Sequence, residues 1–473
     1  MRFILPWLVL VLSGCVPAPF SRHLNDRTDP QLRECARLFQ EVDGAVQRAG
    51  VRDGGEARIK GYPYLRATRF LASFKDEAAT EPRFSQWIDA LRQTDLNARR
   101  YEVLNVAALG GASQVLERLD KCGERLAKAD AAGNASSLRQ AVIVPPDYQT
   151  WKRAVGLYAF TRIPFASGVR GYQKETEKVF STPIENLEVK GKLVRYGAAL
   201  VASLATELPT HAEPLRTPEE LSRLLERHAP VFEVDEAGDF DRIGALVWGP
   251  KGHLTTDPNA PTVYHLAAYT RYQDRVLLQL VYGVWFSARP KSGTFDLLGG
   301  NLDGVMWRVT LDEENRPLLF DSIHPCGCYH QFFPTPRARL KPKPDTLDEY
   351  AFVPQTLPGI KDGERIAIRI ASRTHYLQRI SVVAERAPVE KSYVFASYDD
   401  LRSLPMGENR RSAFRPDGMV AGSERGERFL FWPMGVPNAG AMRQYGRHAT
   451  AFVGRRHFDD PDLIERYFVL GEE

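Results

Sequence analysis

The sequence predicts an α+β protein, with a mainly helical domain over residues 29–228 and an antiparallel β-rich domain over residues 229–473. Up to residue 228, apolar residues recur at the three- and four-residue spacing of amphipathic helices. From about residue 231, runs of β-branched and aromatic residues are separated by short polar turns. Because these runs follow one another without intervening helices, they favour a sandwich or an open barrel.

The chain begins with a targeting segment. Arg2 precedes an apolar run, residues 3–12, that is too short to span a bilayer as a finished helix. The next residues, Leu12-Ser-Gly-Cys15, resemble the lipobox of bacterial lipoproteins. The resemblance implies a signal peptide over residues 1–14, an acylated Cys15 (diacylglycerol and an amide-linked chain such as palmitate), a tether over residues 15–28, and, because Val16 is not Asp, anchoring to the periplasmic side of the outer membrane. An ordinary secretory signal is the alternative, and either one exports the chain.

The first predicted helix begins at Asp29-Pro30, an N-cap followed by proline in the first helical position. Its apolar face carries Cys35, and a second amphipathic helix, residues 112–131, carries Cys122 on its own apolar face. Thiols in an oxidising compartment tend to pair. We therefore expect a Cys35–Cys122 disulfide between the two helices.

Two further helical regions are predicted in the first half, over residues 82–106 and from the capping box Thr217–Glu220 onwards. Between them, residues 145–197 combine many aromatic residues with scattered Pro and Gly, which indicates an irregular region. Such aromatic residues can line a ligand groove or contact lipid headgroups, or they can cover the core of a neighbouring domain.

The second half contains three predicted hairpins. They pair residues 262–271 with 276–287, residues 305–311 with 317–323, and residues 366–370 with 376–383; later strands are expected at 429–432 and 450–453. A Pro-rich connection, residues 334–358, is long enough to be a lid, a binding loop or a mobile segment.

Four metal-ligating side chains, His324, Cys326, Cys328 and His330, alternate just after the second hairpin. In an extended chain their Cα atoms would span about 20 Å, at ~3.3 Å per residue, which is too wide for one ion. The backbone must bend, and Pro325 and Gly327 are the residues that allow a bend. A zinc site would then use two or three of these groups and a partner from elsewhere; the candidates are His265, His448 and His457.

Two other interpretations of this cluster remain. Cys326 and Cys328 flank one glycine, and a small, strained disulfide ring between them fits the oxidising compartment. In the other interpretation, the thiols and imidazoles only pack at the end of a strand.

Charged residues elsewhere give weaker signals. Asp296 and Asp303 lie in a Gly-rich loop between strand pairs, where they are either turn formers or catalytic carboxylates. Four arginines near the C-terminus could bind phosphate or carboxylate, or form a solvated rim; they are Arg443, Arg447, Arg455 and Arg456.

The composition excludes some functions. The net charge of +4 is too small over 473 residues to indicate a nucleic-acid partner. The chain has no Walker loop, nucleophile elbow or His-Glu-x-x-His helix. The sequence therefore favours a non-catalytic envelope module that binds a polymer or a protein, with the Cys/His cluster fixing a loop. The alternative is a zinc-dependent periplasmic hydrolase with Asp303 as the candidate base.

Overall fold

The computed structural model describes residues 27–199, 216–250 and 252–471. Within them the chain has N-terminal helices followed by one large curled sheet, which confirms the predicted α+β class. The predicted signal peptide, Cys15 and most of the predicted tether lie outside the described residues. In the three described ranges, no helix combines the length and apolar character that crossing a membrane requires.

Helices dominate the first part of the fold. They are α1 (Pro30–Ala49), the short α2 (Arg69–Ala72), α3 (Arg83–Leu104) and α4 (Ala112–Ala141). The Asp29 carboxylate caps α1, and Pro30 takes its first position, as predicted. Cys35 and Cys122 form the expected disulfide, which joins α1 to α4.

A hairpin that the sequence did not indicate follows α1. Its strands are β1 (Ala57–Ile59) and β2 (Tyr62–Ala67), which pair antiparallel. Arg66 of β2 is fully buried and donates hydrogen bonds to Asp95 and Glu102 of α3. Because these charges are paired in the interior, the hairpin is fixed firmly on α3.

The region predicted to be irregular, residues 145–197, is largely helical instead. It contains α5 (Thr150–Val155) and α6 (Tyr158–Ser181), which has Pro164 in its second turn, and it ends in strand β3 (Lys192–Ala198). Phe160 and Ile163 of α6 are exposed. Since apolar residues occupy the exposed face as well as the buried face, no amphipathic stripe marks α6 in the sequence.

The helix α7 (Pro218–Arg227) has the predicted capping box and leads into the main sheet. The remaining strands of that sheet are β4 (Val231–Glu236), β7 (Thr262–Tyr272), β8 (Arg275–Arg289), β9 (Gly300–Leu311), β10 (Pro317–Ile323), β11 (Gln331–Pro334), β13 (Glu364–Ile370), β14 (Leu377–Ala384) and β15 (Lys391–Ser397). Its ten strands lie in the order β11-β10-β9-β8-β7-β15-β3-β4-β13-β14.

The three predicted hairpins are confirmed as β7–β8, β9–β10 and β13–β14. The sheet is mixed, however, because β15 pairs in parallel with β7 and β3, and β4 pairs in parallel with β13. Strand β15 enters the middle of the sheet long after its neighbours in the chain. That position requires crossover connections rather than hairpins.

Short elements cover the rest of the second half. They are the pairs β5 (Ala245–Trp248) with β6 (Leu254–Asp257), β12 (Ala338–Leu340) with β18 (Phe468–Leu470), and β16 (Leu404–Met406) with β17 (Asn409–Arg411), together with α8 (Arg428–Phe431) and α9 (Leu463–Tyr467).

Two of the predicted strands are wrong. Residues 429–432 lie mostly in the helical turn α8, and residues 450–453 have no strand partner. The backbone N–H groups of Phe452 and Val453 donate instead to the carboxylate of Glu349. A side chain thus satisfies the groups that a neighbouring strand would have bound.

The helices and the sheet share one hydrophobic core. Phe39 of α1, Leu225 of α7 and Trp307 of β9 belong to the same buried cluster. Packing therefore continues across residue 228 and includes Phe180 of α6. Cys326, in the loop after β10, belongs to a second buried cluster.

Candidate functional site

The connection between β10 and β11 turns back on itself. The His324 N–H donates to the Cys328 carbonyl at 3.0 Å, and the Gly327 N–H donates to the His324 carbonyl at 2.8 Å. Gly327 has a φ of 86°, and a Cβ there would collide with the Ala449 carbonyl oxygen. The chain thus bends within the predicted cluster, in a way that requires glycine at this position.

Arg443 binds the same loop through two hydrogen bonds. This fully buried arginine donates its backbone N–H to the Pro325 carbonyl at 2.8 Å and its Nε–H to the Cys326 carbonyl at 3.1 Å. Of the four C-terminal arginines, Arg443 therefore has a structural role at the candidate site.

Asp303 of β9 connects the loop to the sheet through His324. Its carboxylate is fully buried and lies 3.3 Å from His324 Nδ1, 2.9 Å from His375 Nδ1 and 3.4 Å from Arg425 Nη2. Burial alone would raise the pKa of Asp303, but Arg425, His324 and His375 together hold that pKa well below its ordinary value. The candidate base is therefore an ionised carboxylate that positions His324.

The pKa values of the two histidines bonded to Asp303 are shifted in opposite directions. Burial lowers the pKa of His324 below its ordinary value, against the attraction of Asp303. Burial also opposes the charged form of His375, but Asp241 and Asp303 raise the pKa of that imidazole. His375 stacks face to face on Phe286, with ring centroids 3.9 Å apart, so its orientation is fixed as well.

His330 belongs to a different network. Its Nε2 lies 2.8 Å from Asp321, which also binds Arg308, and burial lowers the pKa of His330 to about 4. His324 and His330 thus bind separate carboxylates. Across the described parts of the chain, no three His, Cys, Asp or Glu side chains are arranged to hold a metal ion. The zinc set His324, Cys326, Cys328 and His330 is not assembled.

The two cysteines are free thiols, so the alternative disulfide is not formed either. Cys326 is buried and Cys328 half-buried, and the Cys328 N–H donates to Cys326 Sγ at 3.3 Å. A hydrogen bond with Cys326, together with burial, raises the pKa of Cys328 well above its ordinary value. Cys328 is consequently a protonated thiol at neutral pH, with low nucleophilicity.

Both thiols lie in the wall of a cavity of about 490 Å³. Its lining is mainly apolar and includes aromatic rings from α6, the 324–330 loop, the Pro-rich connection, the β13–β14 turn, α8 and the segment after it; these rings are Phe165, Tyr172, Tyr329, Tyr350, Phe352, Tyr376, Phe431 and Phe452. The volume is within the range of small-molecule sites, which are typically apolar with a few convergent polar groups.

The tyrosines of this wall are ordered by their own contacts. Tyr376 donates its hydroxyl to that of Tyr329 at 2.8 Å and accepts from Arg289 at 3.2 Å. Tyr172 packs on Tyr329 with ring centroids 5.0 Å apart, and its hydroxyl accepts from Gln331 at 2.8 Å. The wall is thus preorganised.

Glu427, like Glu349, is an acidic residue of the cavity wall that sequence reasoning missed. Only 4% of the residue is exposed, and burial raises the pKa of its carboxyl to about 7 despite nearby arginines. A Cβ on Gly440 would collide with the Glu427 carboxylate, so glycine is needed beside it. Nothing in the local sequence distinguishes Glu427 from a surface glutamate.

The other predicted residues lie elsewhere. His265 borders a second, smaller cavity, and burial lowers the pKa of His265 to about 4. His448 is fully buried, and His457 lies 3.2 Å from Asp460. Asp296 accepts backbone N–H groups of its own loop, which makes it a turn former.

The other three C-terminal arginines have structural partners. Arg447 pairs with Asp147, Arg455 donates to Thr150, and Arg456 donates to the Tyr350 and Thr450 carbonyls. They hold segments of the chain together.

Comparisons with known protein families, curated proteins and solved structures gave no significant match. Functional assignment therefore depends on the site itself.

Proposed function

We propose that this chain is a lipid-anchored envelope protein of the outer membrane that binds, without catalysis, a ligand with an apolar body. The observation that carries the proposal is the cavity of about 490 Å³ whose wall includes the 324–330 loop. Its aromatic lining suits an alkyl chain or a ring system, because such rings bury large apolar areas.

Three polar groups could recognise one end of the ligand. The Glu427 carboxyl, the Cys328 thiol and the Tyr329 hydroxyl all belong to residues of the wall. With a pKa of about 7, Glu427 is partly protonated at neutral pH and can either donate or accept a hydrogen bond. The ligand that fits best is apolar along most of its length and carries a single polar group.

The surroundings of the loop support binding rather than catalysis. Asp303, His324 and Arg425 are engaged with one another, and neither Asp303 nor His324 is among the residues of the cavity wall. They act as positioning residues for the loop. A rigid wall lowers the conformational entropy lost on binding. The N-terminal lipobox resemblance supports the envelope location.

Dye binding tests the proposal. Gly168 and Gly171 of α6 are both exposed helical glycines with open space around them, but only Gly168 borders the cavity. The purified protein is titrated with the apolar dye N-phenyl-1-naphthylamine, and fluorescence is measured. We expect saturable binding that Gly168→Trp weakens by at least about tenfold.

Gly171→Trp is the matched control and should bind the dye as the unaltered chain does. Urea unfolding of both variants checks that they remain folded. Equal dye affinity in all three folded proteins, or no saturable binding to the unaltered chain, would overturn the proposal.

A further inference from the structure

Exposed apolar side chains occur on α5, α6 and α8, and α6 and α8 also line the cavity. We call this set the apolar rim; it consists of Trp151, Val155, Leu157, Phe160 and Ile163 of the α5–α6 segment and Phe295, Phe429 and Leu430 from the second half of the chain. Their exposure is high: 92% for Phe295, 71% for Phe160 and 71% for Phe429. Exposed apolar patches of this kind mark interaction sites.

Helices α6 and α8, which carry part of the rim, meet at the cavity through two residues outside the rim. Phe165 of α6 and Phe431 of α8 make an edge-to-face contact with centroids 5.3 Å apart, and both line the cavity. Leu430 lines the cavity and also a shallow recess that contains Phe295. Leu430 therefore belongs both to the rim and to the cavity wall.

Basic residues predominate in the two segments that carry most of the rim, although Asp296 adjoins Phe295 and Asp348 lies 3.8 Å from Arg162. Residues 148–174 and 428–458 contain no Asp or Glu, whereas basic residues recur in both. Lys152 lies 5.7 Å from the ring centroid of Trp151, and Arg428 lies 4.8 Å from that of Phe429. Exposed aromatic and aliphatic groups next to cations are the combination that binds the interface of an anionic bilayer.

We propose that the apolar rim docks on an anionic lipid surface, so that the mouth of the cavity faces the bilayer. This inference rests on the proposed function for the lipid anchor and the cavity. The twelve residue-to-residue steps from Cys15 to Arg27 span at most about 43 Å. Arg27 is bonded to Asp130 of α4, the helix that ends nine residues before α5. The anchor therefore keeps Arg27 within that distance of the membrane. With the rim docked, the ligand is one of the bilayer's own acyl chains.

Quenching by brominated lipid tests the docking. The full protein is reconstituted in vesicles of phosphatidylethanolamine and phosphatidylglycerol, with or without bromine on the acyl chains, and tryptophan fluorescence is measured. We expect bromine-dependent quenching that is smaller in Trp151→Phe, because Trp151 is 62% exposed within the rim. The double variant Phe160→Ser/Ile163→Ser should lose the larger part of it.

Val394→Ser is the matched control, since Val394 is 50% exposed on β15, outside the rim. It should leave the quenching unchanged. Equal quenching in the unaltered chain, Trp151→Phe and the rim double variant would overturn the proposal. A complete absence of quenching would overturn it too, and is the result expected if the rim binds a protein partner instead.

The dye titration separates the two proposals. Saturable dye binding without lipid quenching rejects docking alone. Lipid quenching without dye binding rejects the cavity function and leaves a rim that docks for another purpose, so the ligand class inferred here is then rejected too.

Discussion

The ring of Phe165 packs edge to face against the ring of Phe431, with centroids 5.3 Å apart. The two residues are 266 positions apart in the sequence, on α6 and α8. Their contact forms part of the cavity wall and connects α6 to α8, the helices that carry part of the apolar rim. The proposed ligand site and the proposed docking surface are connected through these two side chains.

A double-mutant cycle measures this contact. Phe165→Ala, Phe431→Ala and the double variant are unfolded in urea, and we expect a coupling free energy of about 1 kcal/mol, the usual value of an aromatic pair beyond its buried area. The dye affinity of each variant should fall because one wall is lost. Additive losses in the cycle would contradict the contact.

Replacement of Asp303 should destabilise the protein strongly. Asp303→Asn leaves Arg425 buried without its counter-charge, and removing one partner of a buried pair costs roughly 3–5 kcal/mol. Asp296→Asn is the control, since Asp296 caps an exposed loop and its loss should cost only about 1 kcal/mol. Urea unfolding compares them; an equal loss in both variants would refute the positioning role of Asp303.

The raised pKa of Glu427 should make the free energy of unfolding depend on pH. Its pKa is about 7 in the folded chain against 4.5 ordinarily, so between these values the folded protein keeps a proton that the unfolded chain has lost. Rising pH then favours unfolding, by up to about 3 kcal/mol across this window. Glu427→Gln lacks this titration.

The measurement is the difference in unfolding free energy between Glu427→Gln and the unaltered chain. We expect the variant to gain relative stability from pH 5 to pH 8. A difference that does not change with pH would show that the Glu427 carboxyl is not buried in its folded state.

The reactivity of the two thiols provides an independent test of the site. In urea without reductant, the acylated protein should release two reactive thiols, those of Cys326 and Cys328, because Cys35 and Cys122 are bridged and the Cys15 sulfur carries the lipid. In the folded protein, alkylation near pH 8 should be slow, since the pKa of Cys328 is raised, and bound dye should slow it further. Two unreactive sulfurs in urea would mean that Cys326 and Cys328 are bridged.

Local signals made much of the fold predictable. The caps at Asp29 and Thr217 are present because short polar side chains bind free backbone N–H groups at helix starts. The disulfide followed from two cysteines on apolar helix faces, and the three hairpins from short turns between β-rich runs.

Long-range packing decided the rest. Strand β3 is held by a parallel partner, β15, nearly two hundred residues away, which leaves no local signal. Helix α6 was missed because its exposed residues Phe160 and Ile163 are apolar, which removes the stripe. The same feature that concealed the helix forms part of the apolar rim.

The site was only half predictable. The bend at Gly327 followed from strand geometry, but the separate carboxylate partners of His324 and His330 depend on which strand lies beneath each imidazole. Glu427 enters the cavity from a turn whose position is set by packing on α6. No pattern in the sequence indicates that Glu427 reaches the cavity.

Photoaffinity labelling with a diazirine-bearing long-chain alcohol tests the central claim most directly, because mapped peptides show where the apolar chain binds. We predict labels in the 324–330 loop and on α6 around Phe165 and Tyr172, displaced by the dye and lost in Gly168→Trp but not in Gly171→Trp. Labels confined to the second cavity or to surfaces away from the 324–330 loop, or labelling that Gly168→Trp leaves unchanged, would contradict the binding cavity.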